Sequence, residues 1–284
     1  MINQIFVKTR DQRLSFKKMH LFHKILILFF LAICGTIFYQ TIGVFAFVPV
    51  WLLCGLIDFV RHTTKTPQLF KEYFTGKGKL TFILSPLNLA IDLISHKNLH
   101  TYDLDQLPTE IRQEIDHVIN VFDEQKEKIE KCFAQSDNDR TMLFYKWYGR
   151  NIDESIAEFL PEFKHVKTIG VSLFKEKTST SRHFGPFRAT LRVLYNFNKV
   201  QKDGSYIEID GTINIWKKNA LCIFDDTLVH QSFNEEEDLR YCAFIDVLRP
   251  NYANRALQIL LFSVGLFLKN TRAIFYKNWK MIQG

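Results

Sequence analysis

The chain of 284 residues contains a stretch of 33 residues, 25–57, without a single Asp, Glu, Lys, Arg or His. Such a stretch is typical of a segment that lies in the hydrocarbon core of a bilayer. One straight helix of this length would measure about 50 Å, whereas the hydrocarbon core is about 30 Å thick. Because YQTIG at 39–43 supplies polar and glycine breaks, a helical membrane hairpin is predicted over residues 25–59. One tilted span is the alternative.

Basic residues flank this hairpin on both sides. Six of the first 24 residues are Lys or Arg, and Arg61, Lys65 and Lys71 follow the hairpin. Since positively charged flanks tend to stay in the cytoplasm, both ends of the hairpin are expected on that side. A cleaved signal peptide fits less well, because a second apolar block follows the first without a clear small-residue cleavage site.

The rest of the chain predicts an α+β protein. Apolar residues at helical spacing, from Ile111 to Ile129, predict a one-faced surface helix after Pro108. From about residue 166 the period changes to two, and an antiparallel two-sheet barrel is the expected packing. The predicted strands are KTIGVSLFKE, TLRVLYNFNK, SYIEIDGTINIW, ALCIFDD and LRYCAFIDVLR.

Five segments are predicted along the chain. They are a basic N-terminal segment (1–24), the membrane hairpin (25–59), a juxtamembrane linker and helix (60–102), a main domain (103–250) and a C-terminal basic amphipathic helix (251–284). The last segment joins an apolar run to basic and aromatic residues over 255–280, so it is expected to lie in the headgroup layer of a membrane. A terminal helix packed on the sheet is an equal alternative.

Charge and cysteine content narrow the choice of partner and compartment. The 37 basic and 30 acidic residues give a formal net charge of +7, which suits nucleic acid, anionic lipid or an anionic substrate. Most clustered basic residues flank apolar segments, so a membrane explains them better and no nucleic-acid partner is expected. The five scattered cysteines argue against a disulfide scaffold and for a reducing compartment.

Two histidines are each followed, nine or ten residues later, by an arginine in an apolar strand. His183 precedes Arg192, and His230 precedes Arg240. A buried arginine is costly unless an anion meets it. Two histidines on neighbouring strands can bind Fe(II), and an arginine can bind a carboxylate, so the joint pattern suggests a 2-oxoglutarate oxygenase. A single strand histidine is more often a hydrogen-bonded structural residue.

These motifs resemble those of the aspartyl/asparaginyl β-hydroxylases and, within that family, the bacterial lipid A 2-hydroxylases. The likeness covers roughly residues 80–255. It implies a double-stranded β-helix core, of the jelly-roll or cupin-like kind, with flanking helices and an oxygenase domain over 103–250. The matching stretches are HFGPFRATLR (183–192), FDDTLVH (224–230) and LRYCAFIDVLRP (239–250), with FYKWYG (144–149) and SPLNLAIDLIS (85–95) outside the core.

The resemblance also implies cofactors and the roles of five residues. His183 and His230 would ligate Fe(II). Arg240, helped by the hydroxyl of Ser172, would bind the distal carboxylate of the cosubstrate 2-oxoglutarate. Arg192 would bind the other carboxylate beside the metal. O2 would then be used to hydroxylate a C–H bond while the 2-oxoacid is decarboxylated to succinate.

Two positions depart from the lipid A hydroxylase motif. Gly185 stands two positions after His183, where those enzymes have an acidic residue that completes a two-histidine, one-carboxylate face. Water serves that position in the animal aspartyl hydroxylases, and chloride, as in related halogenases, is a remoter alternative. Leu194 replaces the histidine of an R-x-H pattern. Because strand residues alternate faces, Leu194 should point at the cosubstrate like Arg192 and weaken its binding, while Tyr195 points the other way.

Two other candidate sites are weaker. His96 and His100 have i, i+4 spacing, but the sequence offers no third ligand and no HExxH glutamate, so a metal is not expected there. Asp225 and Asp226 follow a predicted strand and precede Thr227, which favours a turn over a pair of catalytic carboxylates.

The sequence therefore predicts a membrane-anchored Fe(II)/2-oxoglutarate-dependent dioxygenase that hydroxylates an acyl chain of lipid A. Its catalytic domain is expected on the cytoplasmic face of an inner membrane, and its partners are a membrane lipid and that membrane; no oligomeric state is predicted. The alternatives are the same chemistry on an aminolipid, such as an ornithine lipid, or on an aspartyl or asparaginyl residue. Gly185 and Leu194 motivate an alternative of another class, a degenerate module that binds a lipid or a partner without turnover.

Overall fold

The computed structural model describes residues 35–36, 44–134, 136–267 and 279–282. In these ranges the helices are α1 (Val44–Val60), α2 (Pro67–Thr75), α3 (Lys79–Ile83), α4 (Ser85–Ile94), α5 (Thr109–Glu124), α6 (Lys126–Phe133) and α7 (Asn254–Phe267), with short 3-10 helices at Leu104–Gln106 and Ala157–Phe159. The strands are β1 (Thr101–Tyr102), β2 (Arg140–Trp147), β3 (Arg150–Asn151), β4 (Val166–Phe174), β5 (Thr178–Ser179), β6 (Thr190–Asn196), β7 (Ser205–Ile209), β8 (Thr212–Ile215), β9 (Leu221–Phe224), β10 (His230–Asn234), β11 (Arg240–Leu248) and β12 (Lys280–Ile282).

The strands form a large sheet and a small sheet. The large sheet has the order β1-β9-β6-β11-β4-β2-β12, with β3 paired to β2, and the small sheet has the order β5-β10-β7-β8. The strand pairs are antiparallel except for β12, which runs parallel to β2. This confirms the predicted antiparallel two-sheet core, of the jelly-roll or cupin-like kind, with flanking helices.

Alternation along the strands of the large sheet separates two hydrophobic cores. On β11, Ala243 and Ile245 belong to the core beneath the helices, whereas Cys242 and Phe244 belong to a second core that β7 also enters with Ile207. Successive strand side chains point to opposite faces of a sheet. Because both faces are covered here, the strand is apolar along most of its length.

Helices α5 and α6 cover the outer face of the large sheet. Ile111, Ile115, Val118 and Phe122, which the spacing predicted to form one helix face, are all exposed by 2% or less. The predicted helix is divided in two at Gln125, which is the C-cap of α5 and the N-cap of α6. The buried face of α5 therefore anchors the sheet that carries the site.

The predicted membrane hairpin receives no support from the described residues. Residues 1–34 and 37–43, which hold the basic N-terminal segment and most of the first half of the hairpin, lie outside the described ranges. The second half is α1. Where the structure describes the chain, no helix combines the length and the apolar character that crossing a bilayer requires. The predicted juxtamembrane linker contains α2, α3 and α4.

The C-terminal segment differs from the predicted helix. Helix α7 ends at Phe267, residues 268–278 lie outside the described ranges, and Lys280–Ile282 form β12. The edge of β2 presents backbone N–H and C=O groups that a further strand can pair with. Met281 packs against the core between the sheets and Ile282 against the core beneath the helices. The prediction of a helix through residue 280 is therefore wrong at its end, because pairing and burial outweigh the local pattern.

Six buried or half-buried charges, named here the Arg188 cluster, join the helices to the turn before β10. Arg188 is 1% exposed; its Nη1 donates to Asp92 at 2.7 Å, its Nη2 donates to Asp58, and its Nε lies 3.4 Å from a carboxylate oxygen of Asp225. Burial alone would raise the pKa of Asp225, but Arg61 and Arg188 outweigh burial and hold this pKa far below its usual range. The members are Asp58, Arg61, Asp92, Arg188, Asp225 and Arg249.

Candidate active site

The two predicted iron ligands are neighbours across one strand pair. The backbone N–H of His183 donates to the carbonyl of His230 at 3.0 Å, and the reverse bond is 2.9 Å long. Residues that exchange both backbone hydrogen bonds project their side chains to the same face. The ring centroids of the two imidazoles are accordingly 4.2 Å apart. The sheet register itself brings the two rings together.

The hydrogen bonds of both rings leave their Nε2 atoms available to a metal. Nδ1 of His183 lies 2.7 Å from the carbonyl of Ser181, and Nδ1 of His230 lies 2.8 Å from that of Leu228. A carbonyl oxygen only accepts, so each Nδ1 is assigned the proton and each neutral ring keeps a lone pair on Nε2. Desolvation is the main cause that lowers the pKa of His183 to about 3 and of His230 to about 4. Both rings are therefore neutral at neutral pH, as metal ligation requires.

The carboxylate of Asp226 lies beside these rings. Its Oδ1 is 3.5 Å from Nε2 of His230 and has no hydrogen-bond partner among the described residues. The two neutral imidazoles fit a divalent metal such as Fe(II), and Asp226 lies next to them as an outer-shell carboxylate. No three His, Cys, Asp or Glu side chains of the described chain form a complete metal site by themselves.

Asp226 occupies the space that a side chain at position 185 would need. A Cβ added to Gly185 would lie 1.8 Å from Oδ2 and 2.4 Å from Cγ of Asp226. The backbone N–H of Gly185 also donates to the carbonyl of Asp226 at 2.7 Å. An acidic side chain at position 185 and the present position of Asp226 therefore exclude each other.

Asp226→Ala is expected to weaken Fe(II) binding by about 10–100-fold, the loss typical of an outer-shell partner of a metal. Anaerobic titration calorimetry with Fe(II) measures this affinity. Asp123→Ala is the control, because it removes a carboxylate on the helical side of the large sheet, where Asp123 accepts from Tyr195. Equal affinity for Fe(II) in wild type and Asp226→Ala would contradict the expectation.

Arg240 presents a buried positive charge with unused donors. Its side chain is 1% exposed, its Nη2 donates to Ser232 Oγ at 2.8 Å, and its Nε and Nη1 have no hydrogen-bond partner in the described chain. Burial lowers the pKa of Arg240 to about 10, so the guanidinium is still charged at neutral pH. The guanidinium carbon lies 4.0 Å from the ring centroid of Phe174. A buried charge with free N–H groups fits a carboxylate of a ligand such as 2-oxoglutarate.

Arg192 already meets two carboxylates of the chain itself. Its Nε donates to Asp246 at 2.7 Å and its Nη2 to Asp226 at 3.1 Å, and its guanidinium lies over the ring of Phe244. Arg192 is half-buried, and these aspartates are anions that pair with its charge. Contact of Arg192 with the second carboxylate of 2-oxoglutarate stays a prediction. Leu194 faces the same cavity as Arg192, while Tyr195 faces the helices and donates to Asp123.

One cavity of about 380 Å³ joins these groups. Ser172, His183, Arg192, His230 and Arg240, the five residues predicted for the site, all line it. Much of the remaining wall is aromatic or aliphatic, which is typical of a small-molecule site with a few placed polar groups. The apolar wall includes Met142, Trp147, Phe174, Phe184, Phe187 and Phe224.

Sequence reasoning missed three residues of this cavity. Asp226 was assigned to a turn, and it is in that turn, but its side chain also lies beside His230. Its spacing of four residues before His230, in the stretch FDDTLVH, was a usable signal. Ser232 follows His230 by two residues and so shares its face, which strand alternation could have shown. Lys77 lies far from the motifs along the chain, and no sequence signal pointed to it.

Comparison with known proteins gives a family for this site. The family model described as aspartyl/asparaginyl beta-hydroxylase matches residues 106–250. No curated protein sequence matches the chain.

Three solved structures with low similarity to this chain are two prolyl hydroxylases and a cupin domain. A Pseudomonas putida prolyl-4-hydroxylase is 15% identical, with 48% of this chain and 87% of that chain covered and a TM-score of 0.33. The viral collagen prolyl hydroxylase of Paramecium bursaria Chlorella virus-1, in complex with 2-oxoglutarate, is 12% identical, with 45% and 90% covered and a TM-score of 0.33. The cupin domain of Schizosaccharomyces pombe Cnp3 is 9% identical, with a TM-score of 0.25; the match covers 28% of this chain and only 55% of that one.

The family match spans just over half of the 284 residues and contains every residue predicted for the site. The chain therefore belongs to the aspartyl/asparaginyl β-hydroxylase family, and it is a hydroxylase that depends on Fe(II), 2-oxoglutarate and O2.

Proposed function

We propose that this hydroxylase acts on an acyl chain of a membrane lipid, with lipid A as the first candidate substrate, at the cytoplasmic face of an inner membrane. The observation that carries the proposal is the single cavity in which the His183–His230 pair and the unpaired donors of Arg240 share an otherwise largely apolar wall. The histidines would bind the iron and Arg240 would bind the cosubstrate, so the apolar part of the wall is available to contact the substrate.

The positive charge of Arg240 is the main contact for the cosubstrate. Nε and Nη1 of Arg240 have no partner among the described residues, and no carboxylate there pairs with its charge, so a carboxylate of 2-oxoglutarate would gain a charge-assisted pair at Arg240. The hydroxyl of Ser232 already accepts from Arg240, and its own proton is available to the same carboxylate. Ser172 lines the same cavity and donates to the carbonyl of Cys242 at 3.1 Å.

His183 and His230 would hold the iron through Nε2, with Asp226 beside them. When bound, iron(II) supplies with 2-oxoglutarate and O2 the oxidation that converts C–H into C–OH, as the cosubstrate becomes succinate and carbon dioxide. Arg192 holds the carboxylate of Asp226 in place and is itself held by Asp246. These residues set the geometry of the donor atoms before any ligand arrives.

An acyl chain fits the rest of the cavity. Phe184, Phe187 and Phe224 line it and offer no hydrogen bond to a polar substrate. Apolar walls also exclude water from the reacting C–H bond. Outside the cavity, α1 has no charged residue from Val44 to Ile57, which supports a location at a membrane.

Mass spectrometry of lipid A from cells with and without the gene tests the substrate. A lipid A species that gains one oxygen only when the wild-type gene is present supports the proposal, and the inactive control is a gene that carries His230→Ala. A gain of one oxygen in an aminolipid instead would show that lipid A is the wrong substrate. Iron-dependent release of succinate from 2-oxoglutarate, measured with membrane lipid extracts, separates an enzyme from a binding module: no release from folded, iron-loaded protein would overturn the enzymatic proposal on lipids.

A further inference from the structure

Exposed apolar side chains are concentrated on helices α1 to α3. Of the eighteen large apolar residues that are exposed in the described chain, eleven lie between Phe47 and Ile83. Eight of them are on α1, and the other three are Phe70, Leu80 and Ile83, each exposed by 40% or more. An apolar surface of this kind marks a site of contact with a membrane or with another protein.

The three helices form one packed unit. The ring centroid of Phe59 on α1 lies 5.3 Å from that of Phe70 on α2, and the centroid of Phe74 on α2 lies 4.8 Å from that of Phe82 on α3. At Gly55 the backbone of α1 comes so close to α3 that an added Cβ would lie 2.5 Å from the ring of Phe82. A membrane or protein that contacts α1 would therefore also lie next to α2 and α3.

Positive charge accompanies this apolar surface. Lys65, Lys71, Lys77 and Lys79 are all exposed, and Glu72 is the only acidic residue from 59 to 84. In the described part of the chain none of these lysines forms an ion pair with a carboxylate. Exposed apolar groups beside unpaired lysines are complementary to the acyl chains and phosphates of an anionic bilayer. This charge favours a bilayer over an apolar protein surface.

The same helices reach the active-site cavity. Lys77, between α2 and α3, lines that cavity together with the site residues. The hydroxyl of Thr81 on α3 donates to the carbonyl of Gly185 at 3.0 Å, and Tyr73 on α2 packs against Phe184 at 5.8 Å between ring centroids. The loop that follows His183 thus rests on α2 and α3, and Lys77 forms part of the cavity wall.

We propose that residues 67–83 lie in the headgroup layer of an anionic bilayer, with Phe70, Leu80 and Ile83 in contact with the upper acyl chains. Lys77 then meets the phosphate of the same lipid whose acyl chain enters the cavity. This inference rests on the proposed function only for the identity of the lipid as substrate. The bilayer contact itself stands on the exposed side chains and the charge.

The depth of residues 67–83 in a bilayer can be measured without turnover. Cysteines are introduced one at a time at positions 70, 80 and 213 of the full chain and labelled with an environment-sensitive nitrobenzoxadiazole dye. Cys34, Cys54 and Cys132 are first replaced by alanine, whereas the buried Cys222 and Cys242 are kept. The same chain without an introduced cysteine measures the background labelling of these two. Ile213 is the matched control because it is an apolar residue exposed by 58% on β8 of the small sheet. Vesicles contain phosphatidylglycerol and phosphatidylcholine, with nitroxide lipids as quenchers.

With vesicles present, emission from positions 70 and 80 is expected to shift to shorter wavelength and to be quenched most strongly by nitroxides placed near the headgroup. Emission from position 213 should stay as it is in water. Emission at 70 and 80 that stays as in water on bound vesicles would overturn the proposal. Emission that is already shifted in buffer would overturn it too, because protein would then cover the face.

A pair of lysine variants tests the role of Lys77. Lys77→Gln and Lys79→Gln remove the same charge from the same face, but only Lys77 lines the cavity. The Michaelis constant for the lipid substrate on anionic vesicles is expected to rise about fivefold more in Lys77→Gln, because both variants lose the general attraction to the anionic surface but only Lys77→Gln also loses the contact with the phosphate of the bound substrate. Equal Michaelis constants would overturn the headgroup contact. The fluorescence test and the turnover test can fail independently. Dyes that enter the bilayer without any lipid hydroxylation would contradict the proposed function. Lipid hydroxylation with the dyes still in water would contradict the bilayer contact.

Discussion

His230→Ala and His183→Ala are each expected to abolish turnover of 2-oxoglutarate and to weaken Fe(II) binding by more than about 100-fold. The reason is that loss of an outer-shell partner alone weakens metal binding by about 10–100-fold, and each histidine is assigned as a direct ligand through Nε2. Succinate release and anaerobic Fe(II) titration measure the two effects.

The same variants should keep the folded sheets. Circular dichroism and the melting temperature of the metal-free protein check this. His117→Ala is the matched control, because His117 is an exposed histidine on α5, on the helical side of the large sheet. Turnover that persists in either His183→Ala or His230→Ala would mean that the iron ligands are wrongly assigned.

Arg188→Met is expected to lower the free energy of unfolding by about 3–5 kcal/mol, the range for removal of one partner from a buried ion pair. Asp58 is 2% exposed and Asp225 is fully buried, so both carboxylates would lose a cation that water cannot replace. Denaturation by urea measures the change. This is a large fraction of the 5–15 kcal/mol that stabilises a typical domain.

An exposed ion pair provides the control for this prediction. Lys177 lies 3.7 Å from Glu237, and both side chains are at least 70% exposed. Lys177→Met is expected to change the free energy of unfolding by less than about 1 kcal/mol. If Arg188→Met fails to fold, Arg188→Lys, which keeps the charge but loses the two-pronged geometry, gives the intermediate case. A loss below about 1 kcal/mol in Arg188→Met would show that the Arg188 cluster does not hold the helices to the sheet.

The sequence could predict the sheets and the strand faces because the period of two is a local property. Arg192 and Leu194 on one face of β6, with Tyr195 on the other, followed from alternation alone. The spacing pattern and the resemblance both suggested that His183 and His230 bind one metal, but alternation gives only a face of the sheet and does not identify the neighbouring strand.

Contacts between distant segments were beyond prediction. Arg188 pairs with Asp58 across 130 positions, and no local pattern distinguishes these residues from other charges. Asp226 was correctly assigned to a turn, yet its position beside His230 depends on the absence of a side chain at Gly185, on another segment. The helix predicted through residue 280 failed for a similar reason, because β2 offers its edge to Lys280–Ile282 only in the folded sheet.

The paired backbone of His183 and His230 makes the predicted iron site sensitive to strand register and insensitive to loop length. Side chains on a strand change face with each one-residue step, so a slip of β10 by a single residue would turn one imidazole away from the cavity. The connection from 198 to 204 between β6 and β7 is largely exposed and lies outside that pairing. Insertions there should leave the two imidazoles side by side, whereas a one-residue deletion inside β10 should separate them.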